Sequence, residues 1–200
     1  MNVLWLAAFA AALSFAAGAL GGEAKGPLTV LASNPRYFTD GSGKAVFLTG
    51  SHTWNNLVEL VRLESHPNPV VDFDRYLDFL QVRNHNCFRL WVWEGASWFD
   101  DKGRIIHRAD PLPYMRPGPG NAIDGQPKFD LAKYNQPYFD RMRQRVLAAR
   151  DRGMYVIVML FQGYRGASHG DQWKGDPLNA ANNIHGIDGD PTRTGKGILP

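Results

Sequence analysis

The chain has 200 residues, 22 Lys and Arg against 19 Asp and Glu for a formal charge of +3, and 44% hydrophobic residues. This is the composition of a folded protein with a core rather than of a disordered chain. The charges are interleaved without a basic run, so nucleic-acid binding has no electrostatic footprint, and a single cysteine, Cys87, leaves no internal disulfide to stabilise the fold.

Residues 1–24, "MNVLWLAAFAAALSFAAGALGGEA", are apolar, alanine-rich and uncharged up to Glu23. The stretch reads as a secretory signal helix, with small residues at Ala17, Ala19, Gly22 and Ala24 for cleavage, although no Lys or Arg precedes the apolar run. The competing reading is a retained anchor, because residues 3–20 are borderline in length for a membrane span. The expectation is a cleaved signal over 1–24, a mature domain over 25–200, secreted or periplasmic location, and no stable membrane insertion once the signal is removed.

"RYFTDGSGKAVFLTG" (36–50) reads as a β-hairpin, its two extended runs joined at "DGSG", where glycine supplies positive φ cheaply. The second run is a first core strand and leads into "SHTWNN". Asp72 can cap a helix whose apolar face is Phe73, Tyr76, Leu77 and Leu80. "CFRLWVW" (87–93) follows as a second strand. A long polar stretch from Glu94 to Tyr134 reads as loop. A second helix spans about Asn135 to Arg152, with Gly153 just past its end. "MYVIVMLF" (154–161) is a continuous apolar run, expected to be a strand buried on both faces. The remainder, from Gln162 to Pro200, reads as loop.

Strands alternating with helices, with long segments after the strands and short joints before them, predict an α/β fold with a parallel sheet. The specific expectation is an incomplete (β/α)8 barrel of about three β/α units, behind the signal helix and hairpin. A nucleotide-binding sheet is set aside. "GSGKA" fails the phosphate-loop pattern, with Phe38 in place of the first glycine and Ala45 in place of Ser or Thr.

Within that frame, side chains alternate along the second strand. Phe88, Leu90 and Val92 share one face, and Cys87, Arg89, Trp91 and Trp93 share the other. Arg89 would then point inward and need carboxylate partners, while Trp91 and Trp93 suit the wall, Trp93 also lying near the mouth. Glu94 stands just past the strand end, where barrel enzymes place functional groups. His52 and Trp54 follow the first strand and can line a cleft. Gln162 follows the third strand and can reach a substrate hydroxyl. "WKGDPLNAANNIHGIDGD" (173–190) is either a substrate loop or a metal-braced loop, with "DGD" as a turn. "GASHG" (166–170) matches G-x-S-x-G in form only, since four residues separate it from the strand and no helix pattern follows. No H-E-x-x-H is present, and neither a metal nor a cofactor is expected.

Four stretches in order carry a family likeness: "NPRYFTDGSGKAVFLTGSHTW", "FDRYLDFLQVRNHNCFRLWVWE", "YVIVMLFQGY" and "WKGDPLNAANNIHGIDGD". Together, over roughly residues 34–190, they resemble bacterial cellulase-like proteins of the large (β/α)8 retaining glycoside hydrolase clan. The resemblance implies hydrolysis of O-glycosidic bonds in a polysaccharide or oligosaccharide by two carboxylates, one nucleophile and one acid/base. It also implies that Arg89 supports the nucleophile; His52, Trp54, Trp93, Glu94 and Gln162 are the expected substrate contacts from their places at or just past the strand ends. In that clan the catalytic glutamates end strands four and seven, which places them beyond Pro200 and makes residues 1–200 alone inactive. The alternative is a non-catalytic carbohydrate-binding or surface protein on the same scaffold.

Overall fold

A computed structural model describes residues 22–62, 70–161, 171–194 and 197. Its elements in chain order are β1 (Thr29–Val30), β2 (Phe38–Thr39), β3 (Glu59–Arg62), α1 (Phe73–Gln81), β4 (Cys87–Trp91) and β5 (Ser97–Phe99). They continue with β6 (Ile105–Asp110), β7 (Tyr114–Met115), β8 (Asp130–Tyr134), α2 (Gln136–Asp151), β9 (Tyr155–Met159) and a 3-10 turn at Trp173–Gly175.

Both expected helices form where the sequence places them. Asp72 caps α1 by accepting the Arg75 amide at 3.0 Å, and the chain leaves α1 through Asn84 at φ 56°, with the His85 amide returning to Leu80. Helix α2 begins after Asn135, whose side chain donates to the Leu112 carbonyl at 2.8 Å rather than capping the helix. It ends at Gly153, φ 73°, the left-handed residue that frees the chain to enter β9. The hairpin expectation also holds in part. Phe38 bridges Val46 antiparallel across the Asp40–Gly43 turn, and Asp40 accepts the Ser42 amide at 3.0 Å.

The barrel expectation is overturned. Among the described residues there are two α-helices and four small sheets, ordered β1-β2, β3-β6-β5, β4-β9 and β7-β8, with no closed barrel. Three of these sheets are antiparallel; β4 and β9 form the parallel pair, in register from Cys87↔Tyr155 to Trp91↔Met159. The first core strand is reduced to a single parallel bridge between Gly50 and Cys87, supported by the Asn86 and Cys87 amides donating to Thr49. The cause is the stretch from Glu94 to Tyr134. It is not loop: it folds into short antiparallel ribbons, whose neighbouring strands can be joined by tight connections where parallel ones need long crossovers.

The core lies between the β4–β9 pair and the two helices, around Leu57, Leu77, Leu80, Phe88, Leu90, Tyr138 and Ala149. Arg145 of α2 enters this core. Its guanidinium sits 4.8 Å from the centre of the Phe73 ring and 3.8 Å from Glu59. Burial, with the like charge of Arg141, pulls it down to about 10 against the opposing pull of Glu59, so it remains a cation at neutral pH. Strand β9 departs from the expectation of burial on both faces: Ile157 is 47% exposed, and Leu160 and Phe161 just beyond it are 70% and 66% exposed.

The residues read as a signal up to 21 lie outside the described residues. Past them, Ala24 is buried and donates its amide to the Arg150 carbonyl at the end of α2, while Glu23 pairs with the Arg150 guanidinium at 2.9 Å. Among the described residues no helix is long and apolar enough to cross a membrane.

Candidate functional site

A cluster of aromatic rings gathers at the C-terminal end of β4. β4 ends at Trp91, two residues short of the expectation, because Trp93 takes a left-handed backbone at φ 48°. A bulky residue in that region costs on the order of 1–3 kcal/mol and persists only where its surroundings hold it. Here the Trp93 indole N–H donates to the Trp54 carbonyl, and the ring packs 5.2 Å from Trp98 and 6.0 Å from Trp91. The strained turn locks residues 52–54 over the strand end.

The result is an aromatic shelf. Trp54 lies 4.8 Å from Trp91, centre to centre, and His52 lies 5.8 Å from Trp91 and 6.2 Å from Trp54. Trp54 is 55% exposed and His52 is exposed, whereas Trp91 and Trp93 beneath them are buried. The buried indole N–H of Trp91 has no hydrogen-bond partner among the described residues.

Asn56 holds the shelf from below. Fully buried, it donates from Nδ2 to the Arg89 carbonyl at 2.5 Å and accepts the Trp91 amide on Oδ1 at 3.1 Å. Its own carbonyl accepts from the Arg145 guanidinium. One side chain thus takes the place of a strand along the edge of β4 where Thr49 leaves off.

Glu94 turns into the protein. It is 5% exposed, and its charge adds to burial in raising the hydroxyls of Tyr138 and Tyr114 above their ordinary range. Tyr138 donates to the Val92 carbonyl at 2.5 Å. Asp176, 1% exposed, also acts on Tyr114. It is brought there because the Ala96 amide donates to the Gly175 carbonyl at 2.9 Å, lacing the segment after Glu94 to the 3-10 turn. That contact requires glycine, since a Cβ on Gly175 would run into the Ser97 backbone.

The structure therefore brings His52, Trp54, Trp93 and Glu94 to one end of β4, as the sequence suggested. Arg89 differs. It is exposed, and its side chain has no ion-pair partner among the described residues. The inward, paired arginine is corrected for a physical reason: Ile157, its partner in register on β9, is exposed too, so this face of the pair is open and desolvates neither. Gln162 and the "GASHG" segment lie outside the described residues. Asn56, Tyr114 and Tyr138 were not picked out from sequence. Nothing in their spacing marks them, because each acts on a backbone or side chain more than thirty positions away or across a sheet.

Among the described residues no cluster of three or more His, Cys, Asp or Glu could hold a metal ion, and this includes the loop at 173–190. Buried asparagines brace it. Asn182 donates to the Lys174 and Asp176 carbonyls at 2.7 and 2.8 Å, and Asn183 donates to the Pro177 and Ile187 carbonyls at 3.0 and 2.9 Å. Beside it, Asp124 receives the Arg116 fork at 2.6 and 2.7 Å and the Ser97 hydroxyl at 3.0 Å. Burial works to raise that carboxyl, but these bonds outweigh it and hold Asp124 below its ordinary value.

The profile of a family described as "Domain of unknown function (DUF6298)" matches residues 104–191. That span runs from the start of β6 through the asparagine-braced loop, and the shelf at 52–94 lies ahead of it. No curated protein and no solved structure matches the chain.

Proposed function

We propose that this chain recognises a saccharide on the Trp54 shelf and serves an exported glycoside hydrolase acting on O-glycosidic bonds of a polysaccharide or oligosaccharide. The observation that carries the proposal is the half-exposed Trp54 indole, backed by Trp91 and flanked by His52. An indole face offers a flat apolar surface to the C–H face of a sugar ring, while donors at its margin take hydroxyls. The retaining two-carboxylate chemistry comes from the family likeness of the sequence.

The test is affinity electrophoresis of the protein against soluble glucan, mannan, xylan and pectic polysaccharides, with Trp54→Ala alongside. Retardation by at least one polymer, weakened about tenfold in Trp54→Ala, is expected for one lost aromatic contact. Absence of retardation by every polymer, or equal retardation of the variant, refutes the proposal.

One observation favours the second reading, a non-catalytic carbohydrate-binding protein. The two carboxylates that act on Tyr114, Glu94 and Asp176, are 5% and 1% exposed, poorly placed to meet a glycosidic oxygen. Reducing-end release from the retarding polymer separates the two: release supports the hydrolase, and binding without release supports the second reading.

A further inference from the structure

The two faces of β4 meet different surroundings. Phe88 packs 6.0 Å from the Phe73 ring and 5.5 Å from the Tyr76 ring of α1, and Leu90 is buried in the same core. Alternation sends Arg89 and Trp91 to the opposite face, about 7 Å apart for two residues of strand. There Trp91 carries the Trp54 and His52 rings of the shelf, and Arg89 is exposed. Beside Arg89 in register on β9 stands Ile157, 47% exposed. Arg89 is the one charged residue of the two strands, which read CFRLW and YVIVM. Asn56 holds its carbonyl at 2.5 Å, so the side chain grows from a fixed backbone, and its guanidinium has no ion-pair partner among the described residues.

We propose that Arg89 makes the shelf selective for an acidic saccharide, its guanidinium taking the carboxylate of a uronate unit next to the ring stacked on Trp54. The inference rests on the saccharide reading and names its substrate class. A guanidinium presents paired N–H donors in one plane, which match the two oxygens of a carboxylate and make the stronger, charge-assisted kind of hydrogen bond. The carboxylates of the neighbouring elements are engaged elsewhere. Glu94 and Asp176 are buried around Tyr114, and Glu59 is taken by Arg141 and Arg145. The fork is therefore left for an anion from outside the chain. Its flanks, the Trp54 rim and Ile157, are apolar and suit the C–H face of a sugar ring. A neutral sugar in the same place offers the guanidinium no charge in exchange for its hydration, so Arg89 discriminates between polymers of like shape.

Affinity electrophoresis of the whole chain at physiological ionic strength tests this, in polygalacturonate and in the same polymer with its carboxyls methyl-esterified. The parent should bind polygalacturonate about fivefold more tightly than the ester, the range of one exposed ion pair. Arg89→Gln should bind the two polymers equally and, because the side chain it replaces is exposed, should melt with the parent. Arg143→Gln removes the same charge from an exposed position on α2 and should keep the preference. Equal binding of both polymers by the parent, a persisting preference in Arg89→Gln, or its loss in Arg143→Gln each overturns the inference. So does dextran sulfate, a polyanion without carboxylates, if it retards the parent as strongly as polygalacturonate. The shelf reading fails separately: it falls if no polymer retards the chain or if Trp54→Ala binds like the parent. Retardation by neutral polymers that weakens in Trp54→Ala, with no preference for the acidic one, leaves the shelf standing and overturns the role of Arg89.

Discussion

Replacing Asn56 with alanine removes one side chain that completes the outer edge of β4. The Trp91 amide loses its acceptor in a buried setting, and an unsatisfied buried donor costs about 1–3 kcal/mol. The Arg89 carbonyl loses a donor at 2.5 Å in a half-buried setting, worth about 1 kcal/mol. The Arg145 contact uses the Asn56 backbone and survives. The sum is about 2–4 kcal/mol, or a fall in Tm of roughly 4–16 °C for a chain of this size. Urea and thermal unfolding followed by far-UV circular dichroism measure it. Tryptophan emission serves as a second probe, because Trp54, Trp91 and Trp93 all hang from this edge and should redden before the global transition. A variant within about 0.5 kcal/mol of the parent, with unchanged emission, would refute the reasoning that Asn56 substitutes for a strand.

Two further outcomes follow from the same geometry. Gly175→Ala drives a methyl into the Ser97 backbone, which is fixed by β5 and cannot rotate away, and should lower stability by about 1–3 kcal/mol in a thermal melt. Asp124 has its folded pKa depressed, so its contribution is fully present above the unfolded value of about 3.9 and is lost as pH falls through the folded value. Stability of the parent should therefore decline below about pH 4, and Asp124→Asn should be less stable at pH 7 and decline less steeply in acid. Parallel curves for the two proteins in urea titrations between pH 7 and pH 2.5 would exclude the Arg116–Asp124 pair as a source of that slope.

Local patterns carried much of the helical part. The α1 face and its Asp72 cap, the α2 span with Gly153 behind it, and the extended character of 87–91 and 155–159 all follow from periodicity and end chemistry, which act within a turn or two of the chain. The antiparallel ribbons between Glu94 and Tyr134 escaped. Their strands are two to six residues long, too short for alternation to rise above turn-rich composition, and β5 and β7 shift register midway. The barrel expectation failed at that point, since it depended on the same stretch being loop. Trp93 marks the corresponding gap at the site. "WVW" reads as a continuing strand, and only contacts with Trp54 and Trp98 pay for turning its backbone left-handed.

By itself the sequence determined that helices form over residues 73–81 and 136–151, that strands form within the expected stretches 87–93 and 154–161, and that tryptophans and Glu94 gather at the end of the strand beginning at Cys87. Those outcomes rest on interactions between residues a few positions apart. The tertiary structure alone decided that Arg89 faces solvent, that Trp54 lies over Trp91 with Asn56 beneath, and that Asp176 and Glu94 meet at Tyr114. Burial, charge pairing and ring contact are properties of surfaces brought together from distant parts of the chain, and no local spacing encodes which surface will stay open.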